Sequence, residues 1–233
     1  MSFTPDIRVP ARPGTRGPEA LFISAFLASG ALGRNGSSPL IFNEPKLPTG
    51  FPDIVAVYLR DTELSLNPSR NALTHDHLRV LHHVYCVRTS SLEAIRTDLG
   101  WRSKLLERCI ADLESANLVH VRGAGVFARQ LKAIFAAKRI VAIEAKLDNW
   151  GRALHQACSN TWFASHSYVL IPRNRNLDVI KKEAARVGVG VMVFDGTTTK
   201  TALEARIHPL PASYGSWLFN EWTIRRAFSD SAA

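Results

Sequence analysis

Ile140-Val141-Ala142-Ile143-Glu144-Ala145-Lys146 is the stretch on which the reading of this chain turns. Its first four residues are apolar on both faces of an extended chain, the pattern of a strand inside a sheet. Residues two apart on a strand share a face, so Glu144 and Lys146 project together at the strand's end while Ala145 turns away. A carboxylate and an ammonium there must be compensated by each other or by a metal ion. A second stretch, Gly50-Phe51-Pro52-Asp53-Ile54-Val55-Ala56-Val57, has the same design, an apolar run with acid at one end. If the two strands are neighbours, Asp53, Glu144 and Lys146 converge. Two carboxylates suit Mg²⁺, which borrows one or two protein carboxylates and keeps several waters. Such an ion lowers the pKa of a bound water and offsets charge gathering on a phosphate, and a nearby lysine orients the water or shares that load.

Around these strands the pattern alternates between strand and helix. Residues 1–17, with Pro5, Pro10, Pro13, Gly14, Gly17 and three arginines, read as a flexible basic tail. Pro18-Glu19 opens a helix carrying Leu21, Phe22, Ala25, Phe26 and Ser29 on one face. Leu40 to Phe42 and Phe51 to Tyr58 read as strands, and Asp61 to Leu73 as an exit loop. Helical periodicity then appears three times: Leu78, Leu81, Val84 and Tyr85; Leu92, Ile95 and Leu99, capped by Ser90 or Ser91; and Arg102 to about Ala116, with Leu105, Leu106, Cys109, Ile110 and Leu113. Two alternating runs around Gly123-Ala124-Gly125 form a hairpin. Beyond Lys132 come strand Ile140 to Ala145, a helix from Asn149, strand Tyr168 to Ile171, helix Leu177 to Val187 and strand Val189 to Phe194. That alternation predicts an α/β fold with a mostly parallel sheet. An amphipathic helix is expected over Gly215 to Phe228.

The organisation predicted is therefore a tail (1–17), an α/β core in two pieces (18–65 and 131–212), an inserted helical module (72–130) and a C-terminal helix with its tail (213–233). At 233 residues with 46% hydrophobic and 21% charged residues, the chain has the composition of an ordered globular protein rather than a disordered or fibrous one. The formal net charge is +9, mostly from arginine, whose guanidinium pairs with phosphate through two parallel hydrogen bonds. A nucleic acid is the expected partner, and no membrane is. No apolar run approaches the roughly 18 residues that span a bilayer. Cys86, Cys109 and Cys158 form no zinc-type spacing and are expected to be buried free thiols of a cytoplasmic protein.

The inserted module, three helices followed by a two-stranded hairpin, resembles a winged helix-turn-helix domain. In it Arg102, Ser103, Lys104, Glu107 and Arg108 occupy the exposed side of the third helix, and Arg122 and Arg129 flank the hairpin. Pro52-Asp53 with Glu144-Ala145-Lys146, after a helix bearing Glu19 and before one bearing Gln156, resembles the PD-(D/E)XK superfamily of restriction-endonuclease-like nucleases. The resemblance covers residues 18 to 60 and 132 to 196. It implies a mixed sheet flanked by helices and a Mg²⁺- or Mn²⁺-dependent DNA endonuclease that cleaves by in-line attack of a metal-activated water. It further implies Asp53 and Glu144 as metal ligands, Lys146 beside the attacking water, Glu19 contributing from the first helix and Gln156 facing the site. Many members pair so that both strands are cut, which makes a homodimer an expectation. The interval of about 90 residues between Asp53 and Glu144 requires the inserted domain. Glu44-Pro45-Lys46 also satisfies the tripeptide and is set aside because proline is unsuited to a central strand.

Each residue has a plainer reading. Glu144 and Lys146 can be a same-face ion pair, Asp53 a turn cap, and Glu19 a first-turn acid favoured by the helix dipole. Gln156, with Arg152 and Asn160 at i, i+4 spacing, can be a solvated polar edge. His75, His77, His82 and His83 lack partners at ligand spacing and read as surface or core histidines. The alternative for the whole chain is a winged-helix DNA-binding regulator on a degenerate, non-catalytic nuclease-like scaffold. A third reading is an acidic protein partner.

Overall fold

The structure, a computed structural model, describes residues 16–36, 38–47, 50–60, 67–88, 90–173 and 176–231. Most of the basic tail and of the exit loop read from the sequence lies outside them. In chain order the elements are α1 (Pro18–Ala28), β1 (Leu40–Asn43), β2 (Ile54–Leu59), α2 (His75–Val87), β3 (Ser90–Ser91), α3 (Leu92–Leu99), α4 (Ser103–Ser115), β4 (Val119–Arg122) and β5 (Gly125–Ala128). Then follow α5 (Leu131–Ile134), β6 (Ala137–Ala145), α6 (Trp150–Asn160), β7 (His166–Ile171), α7 (Leu177–Val187), β8 (Gly190–Phe194), β9 (Thr199–Leu203) and α8 (Tyr214–Ser231). The described residues form two compact units, 16–59 with 137–215 and 60–136 with 216–231.

The first unit is α/β. Its six-stranded sheet runs β1-β2-β6-β7-β8-β9 and is mixed. Only β6/β7 and β7/β8 pair in parallel, while β1/β2, β2/β6 and β8/β9 are antiparallel, so the expectation of a mostly parallel sheet is corrected. The parallel pairs are those joined by helical crossovers, α6 and α7, as geometry demands. Residues Ile140 to Ala145 are buried throughout, as a central strand requires.

Alternation sorts the side chains into two layers. Ile54, Ala56, Ile143, Ala145 and Leu170 pack on one face with Phe26 of α1, flanked by Phe22, Ile23 and Leu27. On the other, Val169 and Val191 meet Ala153 and Ala157 of α6 and Ile180 and Ala184 of α7, where small alanines let the helices approach closely. The face expected of α1 is rotated, for Leu21 and Ala25 are exposed.

The second unit combines α2, α3 and α4 with a small sheet of order β3-β5-β4. One stripe of α4, Leu106, Cys109, Ile110 and Leu113, is buried. Ser91 does two jobs, pairing with Gly125 and capping α3 by accepting from Ala94 N at 3.1 Å. Gly123 turns the β4–β5 hairpin with a φ of 59°, which a side chain would oppose. Residues 131–136, read from the sequence as core, group with this unit.

So does α8, and it is not amphipathic: every residue from Ser216 to Ile224 is buried. Two of its buried polar members, Asn220 and Glu221, are matched from within the unit. Asn220 Oδ1 accepts from Ala136 N at 2.7 Å, and Glu221 accepts two hydrogen bonds from the buried Arg70 guanidinium. No helix among the described residues is long and apolar enough to cross a membrane. Cys86, Cys109 and Cys158 are free thiols, but Cys86 and Cys158 are exposed rather than buried, since each falls off its helix's apolar stripe.

Breaking one side of a buried ion pair strands the other charge. Arg70→Ala or Glu221→Ala is therefore expected to destabilise the second unit by about 3 to 5 kcal/mol in urea denaturation, with the Arg70→Met/Glu221→Leu double variant recovering most of the loss.

Candidate metal and catalytic site

The antiparallel ladder of β2 and β6 pairs Ile54 with Ile143. One step further it sets Asp53 across from Glu144, two residues about 90 positions apart in sequence. Both leave the sheet at the edge where β6 ends. Asp53 is fixed there by its backbone and its side chain: its carbonyl accepts from Glu44 N at 3.0 Å, and its Oδ2 accepts from Ala145 N at 2.8 Å.

Glu144 lies on the α6 face and is almost wholly buried, at 2% exposure. Asn160, buried in the last turn of α6, donates its Nδ2 to Glu144 Oε1 at 2.7 Å. The other oxygen, Oε2, is buried, and the carboxyl group lies close enough to the Asp53 side chain to share a hydrogen bond when protonated. Lys146 crosses the sheet edge to the opposite layer. Its Nζ donates to Glu19 Oε2 of α1 at 2.9 Å and to Ala145 O at 2.9 Å, and lies 3.8 Å from Asp53 Oδ2.

Of the residues singled out from the sequence, Asp53, Glu144, Lys146 and Glu19 thus come together. Glu144 and Lys146 share a side at the backbone only, because the lysine's ammonium is drawn to α1. Gln156 sits one helical turn before Asn160 on the same face of α6, and its Oε1 is buried without a hydrogen-bond partner among the described residues. The solvated edge expected for Arg152, Gln156 and Asn160 is therefore graded, with Arg152 exposed, Gln156 half-buried and Asn160 buried. Two neighbours were missed. Asn160 follows Ala153 and Ala157 at helical spacing, which was the available signal for its burial. Glu44, in the tripeptide set aside for its proline, stands beside Asp53 with a φ of 44°.

Burial pushes the Glu144 carboxyl up to about 8, and the adjacent Asp53 charge pushes the same way, against Asn160 and Lys146. Asp53 is also raised by burial, opposed by the Ala145 N–H and then by Lys146, while Glu19 and Glu44 add to the rise. With an amide and an ammonium beside it, Asp53 is the better anion, so the pair's proton rests on Glu144.

The donors fit a small hard cation. Two carboxylates face each other, mostly buried, and burial and the Asp53 charge together push the Glu144 pKa upward. Among the described residues no set of three His, Cys, Asp or Glu side chains is grouped to hold a metal. An Mg²⁺ or Mn²⁺ ion would thus take Asp53 and Glu144 and complete its shell with water and substrate oxygens.

The residues assigned to nucleic acid belong to the second unit. Arg102 precedes α4, and Ser103, Lys104 and Arg108 lie in its first two turns, all exposed; Arg108 Nε is 3.9 Å from Asp112 Oδ2. Arg122 ends β4 and Arg129 follows β5, also exposed. No protein-family model, curated protein or solved structure matches the chain.

The raised Glu144 pKa sets a pH dependence. Between its ordinary 4.5 and about 8 the unfolded chain sheds a proton that the folded chain keeps, so stability falls as pH rises through that window and then levels. In EDTA the melting temperature should decline from pH 5 to 8, Glu144→Gln should flatten the decline, and Mg²⁺ should oppose it most at the alkaline end; a wild-type profile already flat across this range contradicts the assignment.

Proposed function

We propose that the protein is a metal-dependent DNA endonuclease, its α/β unit a restriction-endonuclease-like core and its second unit a winged helix that binds DNA. The observation that carries the reading is the carboxylate pair at the end of the β2–β6 ladder, mostly buried and facing one another, with a lysine beside it. The mixed sheet between α1 and the α6–α7 layer suits such a core, and the order α2-β3-α3-α4-β4-β5 suits a winged helix.

An ion held by Asp53 and Glu144 would supply Lewis acidity, lowering the pKa of a bound water and offsetting charge on the phosphate. Lys146, held by Glu19 and the Ala145 carbonyl, can donate to an incoming water or a non-bridging phosphate oxygen. Asn160 grips one oxygen of Glu144 and so positions the carboxylate without touching substrate. Gln156 adds an unpartnered amide carbonyl on the same helical face, suited to orienting a water. Glu144 must lose its proton to ligate, so cleavage is expected to climb with pH up to about 8. In the second unit Arg102, Ser103, Lys104 and Arg108 would meet phosphates and base edges, with Arg122 and Arg129 on the backbone.

The reading is tested by relaxation of supercoiled plasmid in Mg²⁺, Mn²⁺ or EDTA. Asp53→Ala, Glu144→Ala and Lys146→Ala are each expected to lower cleavage at least about 100-fold while DNA affinity stays within about threefold, as for groups acting mainly in the transition state. Undiminished nicking by the three purified variants removes the enzyme. Among the described residues no three His, Cys, Asp or Glu side chains are grouped to hold a metal, which leaves a second reading, the non-catalytic regulator. It predicts salt-sensitive DNA binding and no cleavage by the wild type in any metal.

A further inference from the structure

We propose that the cleft between α7 and the β8–β9 hairpin is a phosphodiester-binding subsite for the DNA strand cut at Asp53 and Glu144, an inference that rests on the reading above. The cleft encloses about 470 Å³ and is lined by Arg173, Lys181 and Lys200, with Leu177 and Val193 among its apolar walls and Asp195 at its rim. Arg173 and Lys200 are exposed and have no ion-pair partner among the described residues; Lys181 Nζ lies 3.3 Å from the exposed Asp178.

Asp195, the one carboxylate in the lining, is engaged by its own turn. Its Oδ1 accepts from Thr197 N, Thr197 Oγ1 and Thr198 N at 3.0, 2.9 and 2.7 Å, and its Oδ2 from Thr198 Oγ1 at 2.8 Å. Four donors hold Asp195 as an anion within its own turn, and the three cations still outnumber Asp195 and Asp178, so the cleft is net positive.

The sheet aligns this cleft with the carboxylates. Lys146 N donates to Leu170 O at 3.1 Å, Ile171 pairs with Val193, and Val193 pairs with Lys200, so Lys146 and Lys200 lie on one transverse row. Glu144 neighbours Val169 in the ladder, and Val169 and Val193 belong to the layer covered by α6 and α7. Cleft and carboxylates therefore share one sheet edge and one sheet face.

Neighbouring strands lie about 4.8 Å apart, which puts β8 and β9 roughly 10 and 14 Å from β6. At 3.4 Å of rise per nucleotide along a duplex axis that distance corresponds to about three to four nucleotides at most. A strand with its scissile phosphate at the carboxylates would reach the cleft with a phosphate a few nucleotides away, its sugar against Leu177 and Val193.

The test uses the full chain and fluorescein-labelled 12-nucleotide DNA, single-stranded and duplex, followed by anisotropy in EDTA over a KCl series. Arg173→Ala/Lys200→Ala is expected to weaken binding about tenfold and to make the log K against log salt slope shallower by roughly 1.4 to 1.8, the contribution of two phosphate contacts. Arg173→Lys/Lys200→Arg should keep the wild-type slope. An unchanged slope in the alanine variant, with circular dichroism like the wild type, overturns the subsite even if the wild type cleaves DNA. A reduced slope alongside a wild type that never cleaves keeps the anion subsite and removes the hydrolase. Loss of binding to phosphatidylserine vesicles with DNA binding intact overturns the phosphodiester assignment.

Discussion

The β2–β6 ladder is the constraint on which the α/β unit depends. It joins two strands separated by the whole inserted segment, and its register alone decides which side chains meet. Because the side-chain period of a strand is two residues, a slip of one position would send Asp53 to the α1 face and leave Glu144 without its counterpart. Burial of Ile54 to Val57 and of Ile140 to Ile143 holds that register, since any slip would expose core residues on one strand or the other. Apolar packing thus sets the distance between two carboxyl groups that would repel one another if both were ionised.

The electrostatics of the site follow from that enforced proximity. Glu144 is surrounded by protein and faced by another carboxylate, so it holds a proton at neutral pH. Asp53 accepts the Ala145 amide and lies near an ammonium, so it carries the charge. A cation entering between them would replace a proton rather than fill an idle space. The layers contribute differently: α6 supplies the neutral amides Asn160 and Gln156, and α1 supplies the anion that anchors Lys146.

The apolar strands and their acidic ends were readable from the sequence because burial on both faces leaves a continuous run, and a charge at its end is conspicuous. Other features were missed, some for want of any local signal. β9 is an edge strand whose Thr199-Lys200-Thr201 has the polarity of a loop, and only its pairing to β8 makes it a strand. Asn160 was masked by Arg152 and Gln156, although its spacing from Ala153 and Ala157 put it on the buried side. The burial of Asn220 and Glu221 depends on Ala136 and Arg70, partners far away in the chain, which no local pattern reports. Glu44 was dismissed with its proline, yet the left-handed backbone that ends β1 is what sets it next to Asp53.

Helix α8 completes the core of a unit whose other elements were made some eighty residues earlier on the ribosome. Until it emerges, Phe135 and the α2 residue Tyr85 lack the indole of Trp217. Packing of that unit therefore has to wait for residues 214 to 224, which hold the buried part of the helix.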